Sequence, residues 1–189
     1  MRNSMKKLLL SAAGIFAAFS ALTLTSCEQD KCKTVKCAYN GQCNDDGSCT
    51  CVTGYEGERC ETISRDKFKG VWTVVEDGTT SNPATYALTV RDGGEIDQVW
   101  IKNFYNSYNE EVTGKVLNDT LIIPAQTLQT NDTTAGRRYK TVEGKGWAVP
   151  EGYYGLHGKM MLQYKVTAED GTVNEFGWRG AGSASEWTK

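Results

Sequence analysis

CKTVKCAYNGQCNDDGSCTCVTGYEGERC, residues 32–60, holds six of the seven cysteines of the chain, and its reading decides how the remaining residues divide. The gaps between Cys32, Cys37, Cys43, Cys49, Cys51 and Cys60 are four, five, five, one and eight residues. Aliphatic side chains are scarce between them, so a segment this short has little apolar core of its own and needs staples. Zinc and disulfides are the two chemistries that crowd cysteines in this way. A thiolate zinc site belongs to a reducing compartment, and the residues upstream point to export, so disulfides are expected.

Working outward towards the N-terminus, Arg2, Lys6 and Lys7 form a basic head before the apolar run Leu8–Leu24. The run is short and weakly flanked for a retained spanning helix, and small Ser26 precedes Cys27 as a cleavage site requires. Leu24-Thr25-Ser26-Cys27 resembles the lipobox of bacterial lipoproteins. That resemblance implies a signal peptide over 1–26, acylation of Cys27 and a lipidated tether over 27–31, with the membrane as a partner through the lipid. Glu28 and Asp30 look like the acidic export signal of surface lipoproteins in bacteroidete-type bacteria, interrupted by Lys31. The expected location is therefore the cell envelope, on the outer membrane and facing outward. Losing Arg2, Lys6 and Lys7 from 21 basic residues leaves 18 against 23 acidic ones, a net charge of −5. That unclustered negative balance argues against a nucleic-acid partner.

The cysteine spacing, with Asn40-Gly41 before Cys43 and Gly54-Tyr55-Glu56-Gly57 before Cys60, resembles the EGF-like family over residues 32–60. The resemblance implies the pairs Cys32–Cys43, Cys37–Cys49 and Cys51–Cys60. It also raises calcium, which some EGF-like modules bind. Here Lys31 stands where an acidic or amide side chain is expected, and Asn44-Asp45-Asp46-Gly47-Ser48 lacks the following aromatic. Asp45-Asp46-Gly47 reads better as a turn with Gly47 at positive φ. Neither calcium nor any other cofactor is expected.

Beyond a polar linker, 61–66, residues 67–189 are rich in Val, Thr, Tyr and Trp and carry no long helical period. Tyr86–Arg91 alternates apolar and polar residues, as Gly158–Val166 does in part. Val71–Val75, Val99–Phe104, Val112–Leu117 and Leu121–Ile123 also read as strands. Asp77-Gly78, Asp92-Gly93-Gly94, Asn118-Asp119 and Asp170-Gly171 mark turns between them. The fold class is mainly β: about eight strands in an antiparallel up-and-down barrel, with a β-sandwich as the alternative. Gly70-Val71-Trp72 resembles the Gly-x-Trp of lipocalins, and the order of the Trp100–Phe104, Leu121–Gln126 and Tyr164 segments is similar to lipocalin-like domains of bacteroidete-type envelope lipoproteins. The resemblance implies barrel closure by Trp72 beneath Arg179. Trp72, Tyr86, Trp100, Phe104, Tyr164 and Trp178 are the aromatics available to fill or line the bore.

Signs of catalysis are few. His157 is the one histidine, and the chain has no His-Glu-x-x-His, Gly-x-Ser-x-Gly or phosphate loop. Tyr153 and Tyr154, between Pro150 and Gly155, are candidate partner-binding rings. Thr120 and Thr133 follow Asp in the pattern of bacteroidete-type O-glycosylation, although Thr120 also suits the opening of a strand. The expectation is an anchored, non-catalytic binding or scaffold protein that meets an unknown protein or glycan. The alternatives are a carrier of a small apolar ligand and a carbohydrate-acting enzyme with paired carboxylates.

Overall fold

The computed structural model describes residues 30–149 and 158–189. Cys27, Tyr153, Tyr154 and His157 therefore lie outside the described residues.

Each half of the cysteine-rich module is a short hairpin. Strands β1 (Gln42–Cys43) and β2 (Cys49–Thr50) form the first, and β3 (Tyr55–Glu56) and β4 (Thr62–Ile63) the second. The bridges are Cys32–Cys43, Cys37–Cys49 and Cys51–Cys60, the pairing that the EGF-like resemblance implies. Gly47 takes φ +84°, where its N–H donates to Asn44 O at 2.8 Å. Asp46 spends its carboxylate on the Ser48 N–H and hydroxyl, at 2.9 and 2.7 Å. That acidic loop is thus a self-bonded turn. Tyr55 stacks on Tyr39 with ring centroids 4.2 Å apart.

The larger part is a closed barrel. Its strands are β5 (Gly70–Glu76), β6 (Ala84–Asp92), β7 (Gln98–Lys102), β8 (Val112–Leu117), β9 (Thr120–Gln129), β10 (Tyr139–Ala148), β11 (Lys159–Ala168) and a last strand in two pieces, β12 (Val173–Phe176) and β13 (Ser185–Thr188). Neighbours in sequence pair antiparallel around the ring, and β13 closes it between β11 and β5. This is the up-and-down barrel expected, and not a sandwich. Between β12 and β13 the chain makes an excursion over residues 177–184. A Cβ on Gly177 would lie 2.9 Å from the Ala184 nitrogen, so the two ends of the excursion nearly touch.

Alternation along the strands fills the bore with side chains. Met160, Leu162, Tyr164 and Val166 point inward from β11, and Trp72 and Val74 from β5. Phe104, Tyr164, Phe176 and Trp187 meet ring against ring: Phe104 contacts Tyr164 at 5.0 Å and Trp187 at 6.0 Å, and Tyr164 stacks on Phe176 at 4.3 Å. Two of the aromatics expected inside are elsewhere. Trp100 lies partly exposed under the Arg91 guanidinium, and Trp178 lies half-buried beneath Lys165, an outward residue of β11.

The linker expected over 61–66 is a structured joint. Thr62 and Ile63 complete the second hairpin, and Ser64–Lys67 form a 3-10 turn whose Ser64 is buried. Arg65 donates to the Glu95 carbonyl at 2.5 Å and pairs with Asp92 at 3.0 Å. Lys67 bridges Glu56 of the module and Asp119 of the barrel, at 2.6 and 2.5 Å. Ile96 packs on Gly54, where a Cβ would lie 2.7 Å from its Cγ2. The module thus caps the barrel end at which β5 begins, called here the near end.

Closure of that end corrects one expectation. Trp72 is buried and donates from Nε1 to Phe68 O at 2.7 Å, but the cation over its ring is Lys189, at 4.6 Å. Lys189 also donates to the Lys67 and Lys69 carbonyls, at 3.0 and 2.7 Å. Arg179 is exposed in the excursion before β13. The physical reason is register: β13 runs down beside β5, so only residues after it arrive under Trp72.

Candidate binding site at the far end of the barrel

Strand period places Glu76, the last residue of β5, on the inner face with Trp72 and Val74. Glu76 is 5% exposed and, among the described residues, is the one buried carboxylate. Tyr86 donates to its Oε1 at 3.0 Å, and Tyr164 and Ser185 donate to its Oε2 at 2.7 and 2.9 Å. Ser185 in turn accepts from Trp187 Nε1 at 3.0 Å. Burial raises the Glu76 pKa above the usual carboxylate range, and the three hydroxyl bonds work against that rise. Burial also pushes the phenols of Tyr86 and Tyr164 upward, so both remain donors.

Above this knot the chain between β7 and β8 turns inward. Val99–Lys102 keep the strand expected over Val99–Phe104, but Phe104 leaves it and enters the core. Asn103, Tyr105 and Asn106 all take left-handed φ, at 64°, 54° and 45°. Asn tolerates this conformation, whereas a ring-bearing residue there costs about 1–2 kcal/mol. Neighbours hold the strained Tyr105 in place. Asn103 Nδ2 donates to Ala87 O at 2.7 Å, Asn174 Nδ2 donates to Tyr105 Oη at 3.1 Å, and the Tyr105 ring meets Phe176 edge-on at 5.8 Å. Asn174, itself buried, also donates to Ser81 Oγ and accepts from the Thr80 N–H, both at 2.9 Å.

Around Tyr105 lies a depression of about 100 Å³, with Val166 and Ala168 as floor and Thr80, Arg137, Lys140, Thr172 and Asn174 as wall. The Lys140 side chain is 12% exposed, lies 5.7 Å from the Tyr105 ring centre and pairs with Asp132 at 3.0 Å. Arg137 pairs with Asp170 at 2.9 Å. Both carboxylates are held down at about 2, first by backbone N–H bonds, from Thr134 and Thr172 respectively, and then by further hydrogen bonds that include these cations. A larger groove, about 420 Å³, runs at the near end between residues 51–57 and Leu117-Asn118, and its module wall includes both glycines of the 54–57 turn.

Of the residues singled out from sequence, the six cysteines come together as pairs. Val149 and Gly158, which flank the segment with Tyr153 and Tyr154, both lie at the near end, opposite Tyr105. Thr120 opens β9, while Thr133 is exposed in the β9–β10 loop, where Asp132 accepts from the Thr134 N–H at 3.0 Å. Sequence reasoning missed Glu76, Tyr105, Lys140 and Asn174. Extending the Val71–Val75 alternation by one residue would have turned Glu76 inward. The pair Asn103 and Asn106 around Tyr105 was the available signal for a left-handed loop.

Residues 34–62 match the teneurin-like EGF domain family, a similarity confined to the module. Comparison with curated proteins and with solved structures finds no match for the chain.

Proposed function

We propose that the chain is a cell-envelope lipoprotein, acylated on Cys27 and held at the outer membrane facing outward, and that it binds a partner without catalysing a reaction. In this reading residues 1–26 are the signal, the EGF-like module is a stiff pedestal, and the barrel is of the lipocalin-like kind. The observation that carries the binding role is the filled bore. Phe104, Tyr164, Phe176 and Trp187 occupy the space that a carrier would keep for an apolar ligand. The module covers the near end, which leaves the loops of the far end free to meet a partner.

Native mass spectrometry of the protein purified gently from its own host tests this reading. The expected result is the lipidated chain with three disulfides and no further mass. A stoichiometric apolar adduct would overturn the non-carrier reading in favour of the carrier. Labelled palmitate separates the anchoring step: wild type incorporates it and Cys27→Ala does not, and equal labelling of the two would remove the lipoprotein assignment.

A further inference from the structure

We propose that the depression around Tyr105 binds one edge of a neutral, hydroxyl-rich pyranose ring, as at the end of a glycan. This deepens the binding reading above and rests on it. The first reason is charge. Each cation at the site has its own carboxylate, Lys140 with Asp132 and Arg137 with Asp170, and both acids stay ionised through the neutral range. The charge of each cation is already answered by its acid, which leaves a small anion little net charge to pair with, and a small cation would meet Lys140 and Arg137. A sugar edge brings no charge, and each hydroxyl both donates and accepts.

The second reason is the set of valences on offer. Lys140 has three N–H groups and the Arg137 guanidinium five, more than their acids use. Tyr105 Oη accepts from Asn174 and retains its own proton to donate. The Thr80 and Thr172 hydroxyls complete the rim. The floor of Val166 and Ala168 suits the C–H face between hydroxyls. The third reason is that the loop is set in advance. Tyr105 keeps a costly left-handed backbone only because Phe104 is seated in the core and Asn174 is fully engaged, so the site changes little when occupied. At about 100 Å³ the depression takes part of one ring and not an interior stretch of polymer.

Saturation-transfer NMR on the full chain in detergent tests this, with a panel of neutral methyl hexopyranosides as probes and acetate and inorganic phosphate as controls. At least one glycoside should give a saturable signal. Lys140→Met should weaken it about tenfold, the worth of one charged hydrogen bond. Lys145→Met, on the outer face of β10, should leave it unchanged. Should Lys140→Met fail to fold, the exposed pair Thr80→Val and Thr172→Val should weaken binding in its place. Silence from every glycoside, equal affinity in wild type and the site variants, or saturable binding of acetate or phosphate alone would each overturn the proposal. The same spectra report methanol. Its release from a bound glycoside would sink the non-catalytic reading while leaving the sugar site standing, whereas silence would sink the site and leave the anchored binding protein untouched.

Discussion

The module and the barrel reach a fixed shape by opposite means. Between Cys32 and Cys60 almost nothing apolar is buried, and three covalent bridges restrict the chain before any packing counts. From Phe68 onward no covalent link is present among the described residues, and order comes from rings that meet across the bore. The contrast teaches where each kind of stability is written. A bridge is a property of two positions and is visible as two letters, whereas a packed interior belongs to the whole set of facing side chains.

The largest effect should come from breaking the packed half. Trp187 touches the Phe104 ring and is bonded to Ser185, so Trp187→Ala should lower stability by about 3–5 kcal/mol in a denaturant titration. With a low concentration of dithiothreitol present as reductant, the three bridges should resist reduction while the barrel unfolds. Bridges reduced together with barrel unfolding would erase the distinction between the halves.

Next comes the stapled half. Replacing Cys51 and Cys60 together by Ser should cost the module about 2–4 kcal/mol, read as increased amide exchange over residues 49–63. The loss should reach the barrel only through the joint at Gly54 and Lys67. Unchanged exchange in the module would show that its packing matters more than its bridges.

The joint itself sharpens the comparison at smaller cost. Gly54 has φ +90°, and a Cβ there would press on Ile96. Gly54→Ala should cost about 1–3 kcal/mol and loosen residues 92–98 in amide exchange. Protection of that turn equal to wild type would mean that module and barrel ride together without holding each other.

The smallest effect is one of pH. The folded pKa of Glu76 lies above its unfolded value, so its contribution is fully present below the ordinary carboxyl value of about 4.3. It is lost as pH rises through the raised value, because the folded state then holds a buried charge. Relative to Glu76→Gln, wild type should therefore lose thermal stability as pH climbs through the window above about 4.3. Parallel melting curves for the two proteins across that window would show that the hydroxyl bonds fully offset burial.

Legibility followed the same divide. Val71–Val75 was readable because its inward Trp72 and Val74 alternate with outward polar or exposed residues, and Val112–Leu117 because inward Val112 and Val116 frame a single inward glycine, Gly114. Strand β10 was not, because two of its inward positions are Gly144 and Gly146, and a glycine leaves no apolar mark. Those glycines exist because Tyr164 and Leu162 of β11 lie over them, where a Cβ would come within 2.6 and 2.7 Å. Strand β13 hid for a related reason: its inward Ser185 serves Glu76, so the pattern there is polar. Asp77-Gly78 reads as a turn, and residues 77–83 form a strap bonded to β12 through Thr79 and Glu175, with Gly78 against Asn174.

By itself the sequence determined the division at Cys60 and the antiparallel β character of the larger part, while its resemblance to the EGF-like family implied the pairing of the bridges. Spacing and alternation are local, and each is set by neighbours a few residues away. Only the tertiary structure decided that Lys189 and not Arg179 lies on Trp72, that the bore is full, and that Glu76, Tyr105, Lys140 and Asn174 share one end. Those facts depend on the register of strands far apart in the chain, as in the bond from Ser185 to Glu76, 109 residues away. Register is an outcome of closing the barrel around its largest side chains, and no short stretch of the chain contains it.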